Sequence, residues 1–317
     1  MLMEQSDPTL VDYERRLRRH FRMTGFPETW IPPKILAKPG HVDSQALLHM
    51  FYGRHLGNSG KPEAAAEFRE VYEKAQAADL KARGLEGLTD ALMKIASDES
   101  ARTGAPIQSA SAEAIRDLCR RGIEEFQHQE WAPNVIGTFH LVHGTIDAWM
   151  GDTFTAKLHL KRALKELDHV TTQLDRSGRK EARAWVYFFL GEVAAQESDW
   201  EEARRQYEMS QRLSKEIMLA AATSRLARIY LEHLKSPARA LQVLRRTKIL
   251  NHLVEKDPLR DEIRWLTAKS YYMSGNKRVG LRLYREIAQD ADSEALRNDA
   301  RIWLESIKED QERKRDI

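Results

Sequence analysis

One cysteine, ten prolines and sixteen glycines are few for a chain of 317 residues. The single Cys119 excludes an intramolecular disulfide. It falls in the apolar spacing Ile115, Leu118, Cys119, Ile123, which predicts a buried structural thiol. Scarce proline and glycine beside abundant Ala, Leu, Glu, Arg and Lys point to helices. The longest apolar run, Ala184 to Leu190, is far too short to cross a bilayer. The first residues, MLMEQSDPTLVDYERRLRRHF, contain no apolar stretch of a secretory signal. A cytoplasmic location is the expectation, with an unrecognised export route left open. Neither charge sign dominates: 51 basic and 48 acidic residues leave a net +3, which does not by itself indicate nucleic acid. No GxSxG, HExxH, paired cysteine, kinase motif or dinucleotide fingerprint occurs. No cofactor and no metal are expected, and the chain reads as noncatalytic.

What is present is a recurring skeleton. Gly191 is followed twelve residues later by Ala203 and sixteen later by Tyr207, with a turn at Asp199-Trp200 between them. The same spacing returns as Ala268, Gly280, Tyr284 and as Gly144, Ala156, Leu160. It returns as Gly53 and Ala65 with Phe68 one residue early, and as Ala227, Ala240, Leu244 with one residue inserted. A small residue on one helix lets the next cross closely, and a large one fills the space between pairs. Self-similarity of this kind makes the chain an array of helix pairs, and moves the functional question from catalysis to surface recognition. The anchors are 47, 36 and 41 residues apart from Gly144 onward, so helices or turns exceed the minimal repeat of about 34 residues.

The residues Leu190-Gly191, Trp200, Ala203 and Tyr207, then Leu226-Ala227, Tyr230 and Ala240, then Tyr271, Gly280 and Tyr284, resemble the tetratricopeptide repeat (TPR) family. The resemblance covers about residues 43–305. It implies an all-α fold, a right-handed superhelical solenoid of antiparallel helix pairs, with a concave groove and a binding role. It also implies that the first helix of each pair lines the groove at fixed offsets from the small anchor. Carried onto this chain, those offsets select Trp149; then Trp185, Phe188 and Glu192; then Ser224, Arg228 and Leu231; then Trp265, Lys269 and Tyr272. Some of these rings have an alternative place between helices. The Lys and Asn clamp of the chaperone-tail binders in that family is absent at the corresponding positions.

Three segments follow. Residues 1–42 read as an amphipathic helix, capped at Asp7-Pro8 and carrying Leu10, Tyr13, Leu17 and Phe21, then an extended arm with four prolines in 26–42. Residues 43–305 are the solenoid, with Asp43 as a cap and a polar loop insertion at 97–111, either a disordered excursion or a functional loop. Residues 306–317 are a charged tail.

Four other features have competing readings. His140 and His143 with Asp147 share one helix face, which suits a divalent metal; yet His143 directly precedes Gly144, which assigns it to the packing face. Gly57-Asn58-Ser59-Gly60-Lys61 fails the phosphate-loop pattern and reads as a turn. The basic run Arg15 to His20 reads as a solvated face. Residues 203–250 hold eleven Lys/Arg against three Glu, a positive patch unless neighbours balance it. The expectation is a scaffold or adaptor whose groove holds a protein or peptide partner with acidic and apolar side chains. Arg225, Arg228 and Lys269 would serve the acids, and Trp185, Phe188, Trp265 and Tyr272 the apolar anchors. A peptide-sensing regulator and a nucleic-acid binder using 203–250 are the alternatives.

Overall fold

Thirteen α-helices and no strand make up the described residues of the computed structural model, which are 42–169, 176–214, 216–245 and 258–313. The helix and arm expected before residue 42 lie outside them. The chain divides into two compact units, Met1–Arg179 and Lys180–Ile317.

The first unit holds α1 (Val42–Asn58), α2 (Ala64–Lys74), α3 (Ala78–Thr103), α4 (Ser109–Phe126), α5 (Pro133–Trp149) and α6 (Thr153–Asp168). Each helix packs on the next; in addition α1 touches α3, and α3 touches α5. Leu47, Met50, Leu80, Leu85, Ile115, Phe126 and Phe139 form one continuous core there. Cys119 belongs to it and is fully buried, as its spacing predicts.

The second unit holds α8 (Trp200–Leu213), α9 (Glu216–Glu232), α10 (Pro237–Leu244), α11 (Pro258–Met273), α12 (Lys277–Asp290) and α13 (Glu294–Arg313), preceded by most of α7 (Arg176–Gln196). Here α9 touches α11 and α11 touches α13, beside the contacts between consecutive helices. Helix α13 runs through the start of the charged tail as far as Arg313, a polar helix end.

The small anchors do what their spacing predicts. A Cβ on Gly191 would lie 2.7 Å from the Tyr207 ring, one on Gly144 2.8 Å from Leu160, and one on Gly53 3.1 Å from Phe68. The turns repeat as well. Gly60, Gly151, Ser198 and Gly275 have left-handed φ of 70°, 81°, 62° and 92°. At the first three, the next residue's N–H returns to the carbonyl five back: Lys61 to Leu56, Asp152 to Asp147, Asp199 to Ala194. This is the closure expected at a helix C-terminus. Asp152 and Asp199 then cap α6 and α8 by accepting from the N–H of Thr155 and Glu202 at 3.0 and 3.1 Å. The turn between α9 and α10 is one residue longer: Ser236 N–H reaches Tyr230 six residues back. The residue inserted between Ala227 and Ala240 is accommodated there.

Two expectations are corrected. The 97–111 loop is mostly helix, because α3 continues to Thr103 and α4 begins at Ser109, leaving only 104–108 outside. Residues 97–103 contain no glycine or proline, and their polar side chains suit the exposed end of a long helix. Gly104, at φ 68°, then ends α3. Asp43 does not stand before its helix as a cap. It lies in the first turn of α1, and its buried carboxylate accepts from Gln76 N–H at 2.7 Å and from Ala77 N–H at 3.3 Å, just before α3.

Candidate functional site

Helices α7, α9 and α11 carry a charged residue directly after their small anchors: Glu192 after Gly191, Arg228 after Ala227, Lys269 after Ala268. Glu192 Oε1 accepts from Arg225 Nε at 2.8 Å and from Tyr207 OH at 2.6 Å. Glu262 Oε1, on α11, accepts from Arg228 at 2.6 Å and lies 3.9 Å from Arg225. Lys269 donates to Glu232 of α9 at 3.0 Å. The result is a ladder, Glu192–Arg225–Glu262–Arg228, running from α7 across α9 to α11, with a second rung at Glu232–Lys269. Its arginines keep 41% and 45% of their side-chain surface, so the ladder faces solvent. Burial pushes the Glu262 carboxyl up, but the Ser224 hydroxyl and then the guanidiniums of Arg228 and Arg225 outweigh it and hold the group below its usual range. Burial and the Glu192 carboxylate push the Tyr207 phenol up, so it stays a donor.

The four cations and carboxylates expected on this face are therefore together, but already matched. Glu262 and Glu232, their partners, were not among the expected site residues. Both stand at offsets the repeat itself supplies, six before Ala268 and five after Ala227.

The rings divide. Trp185 lies along Phe189, centroids 5.9 Å apart and 18° between planes, and is 37% exposed. Phe188 is 9% exposed and tilts against Tyr207 at 5.7 Å, which makes it a core ring rather than a ligand anchor. Trp265 meets Tyr284 edge-on at 4.8 Å, and Tyr272 meets Trp303 edge-on at 4.7 Å. These two pack mainly between α11, α12 and α13. The anchor positions place large side chains at the helix crossings, and rings three and four residues away share that stripe. Trp149 belongs to the first unit, at the end of α5, 38% exposed beside Met150.

The positive excess of 203–250 is balanced at four of its arginines. Arg204 pairs with Glu201 and Glu208, Arg205 with Glu202, and Arg225 and Arg228 with Glu192 and Glu262. Most of those carboxylates come from outside the window. Lys215, Arg246 and Lys248 lie outside the described residues. The turn 59–63 between α1 and α2 takes up Ser59, Gly60 and Lys61, as its failed phosphate-loop pattern predicts.

In the first unit, the HxxH face of α5 acquires a third imidazole. His159 of α6 shares a hydrogen bond with His140, Nδ1 to Nδ1 at 3.0 Å, and stacks on His143 at 3.9 Å. His143 Nδ1 donates to Asp147 Oδ2 at 2.9 Å. Arg116 of α4 grips the other oxygen of Asp147 through Nε at 2.8 Å and Nη2 at 2.7 Å. His140, His143 and Asp147 are buried; His159 is half-buried. Burial, then His159 and Arg162, lowers His140 to about 4; burial, then His143, lowers His159 to about 4. Both imidazoles are neutral at pH 7. His159 was missed in the sequence because its signal is positional: it precedes Leu160, the residue that fills the gap over Gly144, as His143 precedes Gly144.

Among the described residues no helix is long and apolar enough to cross a membrane. Compared with family models and with curated proteins, the chain matches none.

Proposed function

We propose that this chain is a noncatalytic protein-interaction scaffold or adaptor. In this reading each unit is a run of TPR-like helix pairs, wound as a right-handed solenoid, and α7, α9 and α11 line a concave binding face. The observation that carries it is the solvent-facing ladder Glu192–Arg225–Glu262–Arg228, with exposed Trp185 on the same helix as Glu192. The small anchors and large rings form the helix crossings and Glu192 tethers Tyr207, while the guanidiniums of Arg225 and Arg228 add exposed, fixed charge. Exposed, geometrically fixed charges beside a tryptophan suit recognition of a protein or peptide. The partner that fits carries acidic side chains, which exchange with Glu192 and Glu262 for the guanidiniums, and an apolar anchor for Trp185.

The test is affinity capture from the native host with the wild-type chain and with Trp185→Ala/Arg228→Ala. A partner held by the wild type and lost by the double variant, at unchanged circular dichroism, supports the groove. An identical set of partners on both would sink it. A nucleic-acid reading through 203–250 is weakened by the pairing of Arg204, Arg205, Arg225 and Arg228. A peptide-sensing regulator would use the same face with a smaller ligand.

A further inference from the structure

We propose that His140, His143, Asp147 and His159 form a binding site for a divalent transition-metal ion of the zinc class, held between α5 and α6. Imidazole nitrogens with one carboxylate oxygen are a donor set suited to Zn²⁺, Co²⁺, Ni²⁺ or Cu²⁺. Two donors bound tetrahedrally to one ion at roughly 2.0–2.2 Å lie about 3.3–3.6 Å from each other. The hydrogen-bonded pairs His140–His159 and His143–Asp147, at 3.0 and 2.9 Å, open by only a few tenths of an ångström to reach that spacing. One donor atom each from His143, Asp147 and His159 lies within 4.8 Å of the others.

His140 reaches this group through His159 alone, so the rings must move to converge on one ion. His143 and His159 are stacked with 13° between their planes, and parallel rings cannot aim in-plane lone pairs at one ion. His143 is held by Asp147, so the half-buried His159 ring is the one that turns. The support around the site is in place. Arg116 fixes Asp147 through Oδ1 and leaves Oδ2 for the ion, and Glu113 balances the guanidinium at 2.7 Å. Three imidazoles and one carboxylate fill a tetrahedral shell, so the ion clips α5 to α6 and has no open position for a substrate. The Gly144–Leu160 crossing joins the same helices without the ion, so the ion-free chain is expected to keep its fold.

The experiment is a Co²⁺ titration of the full chain after treatment with a chelator, followed by visible absorption and competed with Zn²⁺. The expected result is one Co²⁺ per chain with a tetrahedral absorption band that Zn²⁺ abolishes. His159→Gln and His143→Gln each weaken binding at least about tenfold, with circular dichroism unchanged. His128→Gln, at an exposed position, changes nothing. Zn²⁺ raises the melting temperature of the wild type and not of His159→Gln. Absence of stoichiometric uptake by the wild type overturns the site. So does unaltered binding by His159→Gln, or a loss of melting temperature in that variant that is equal with and without Zn²⁺.

Discussion

Gly191→Ala and Gly57→Ala are the same substitution in two helices and should shift stability in opposite directions. Alanine exceeds glycine in helix propensity by about 0.8–1.0 kcal/mol. At Gly57 the added methyl would meet only Ala64 Cβ, at 3.9 Å, an ordinary contact. Gly57→Ala is expected to stabilise by about 0.5–1 kcal/mol. At Gly191 the methyl would lie 2.7, 2.8 and 3.0 Å from three carbons of the Tyr207 ring. That ring is fully buried, has Phe188 beside it and is tethered through its hydroxyl to Glu192. Retreat of the ring costs about 1–3 kcal/mol of overpacking, and stretches a charge-assisted bond worth roughly 1.5–3 kcal/mol. Set against the propensity gain, the net expectation is a loss of about 1–3 kcal/mol. Urea unfolding followed by circular dichroism measures both variants. Adding Tyr207→Leu to Gly191→Ala recreates the Ala227–Leu244 pairing found one pair later, so the double variant should lose less than the sum of the singles. If Gly191→Ala is as stabilising as Gly57→Ala, the close crossing of α7 and α8 is not what requires the glycine.

Ser198→Gly removes a side chain from left-handed φ, a strain of about 1–2 kcal/mol, partly offset by the entropy of glycine; a small rise in urea midpoint is expected, and a fall would contradict the strain. In the chelator-treated chain the depressed His140, near 4 when folded against about 6.5 unfolded, contributes stability that is complete above pH 6.5 and lost as pH falls toward 4. His140→Gln should flatten that slope in urea midpoints taken across the range, and an unchanged slope would assign it to other groups. Glu192→Gln/Glu262→Gln uncovers Arg225 and Arg228, so the variant should need more salt than the wild type to leave heparin; equal elution would mean the ladder does not neutralise this face.

The helices and their order were legible because three independent signals agreed. The anchors Gly144, Gly191 and Ala268 fix close crossings, their partners Leu160, Tyr207 and Tyr284 fill the gaps, and the turn at Asp199-Trp200 marks a helix start. Where only composition spoke, the reading failed: 97–103 is polar without a breaker, and polarity alone does not distinguish a loop from an exposed helix end. The binding face was half legible. The offsets found Glu192, Arg228 and Lys269, but whether a ring at those offsets faces water depends on neighbouring helices. Phe188 and Trp265 went inward because Tyr207 and Tyr284 were there to receive them. His159 stands sixteen residues after His143, as Leu160 does after Gly144, a signal that shows only when polar residues are read at the anchor spacing.

The ladder also changes what the cations can do for a ligand. An isolated guanidinium on an exposed face attracts any anion at long range. Arg225 and Arg228 instead have Glu192 and Glu262 within 2.8 Å, so at a distance beyond the Debye length of about 8 Å the face is close to neutral. An acidic partner gains from these residues only at contact, by replacing one carboxylate with another, and the released Glu must find water or a cation of the partner. That exchange contributes little affinity but is strict about geometry, since only a carboxylate placed at the position of Glu262 reaches both arginines. Binding energy then has to come from apolar burial against Trp185. Under the proposed function such a face would select among acidic segments by shape, and its paired arginines would offer a polyanion less than a count of eleven basic residues suggests.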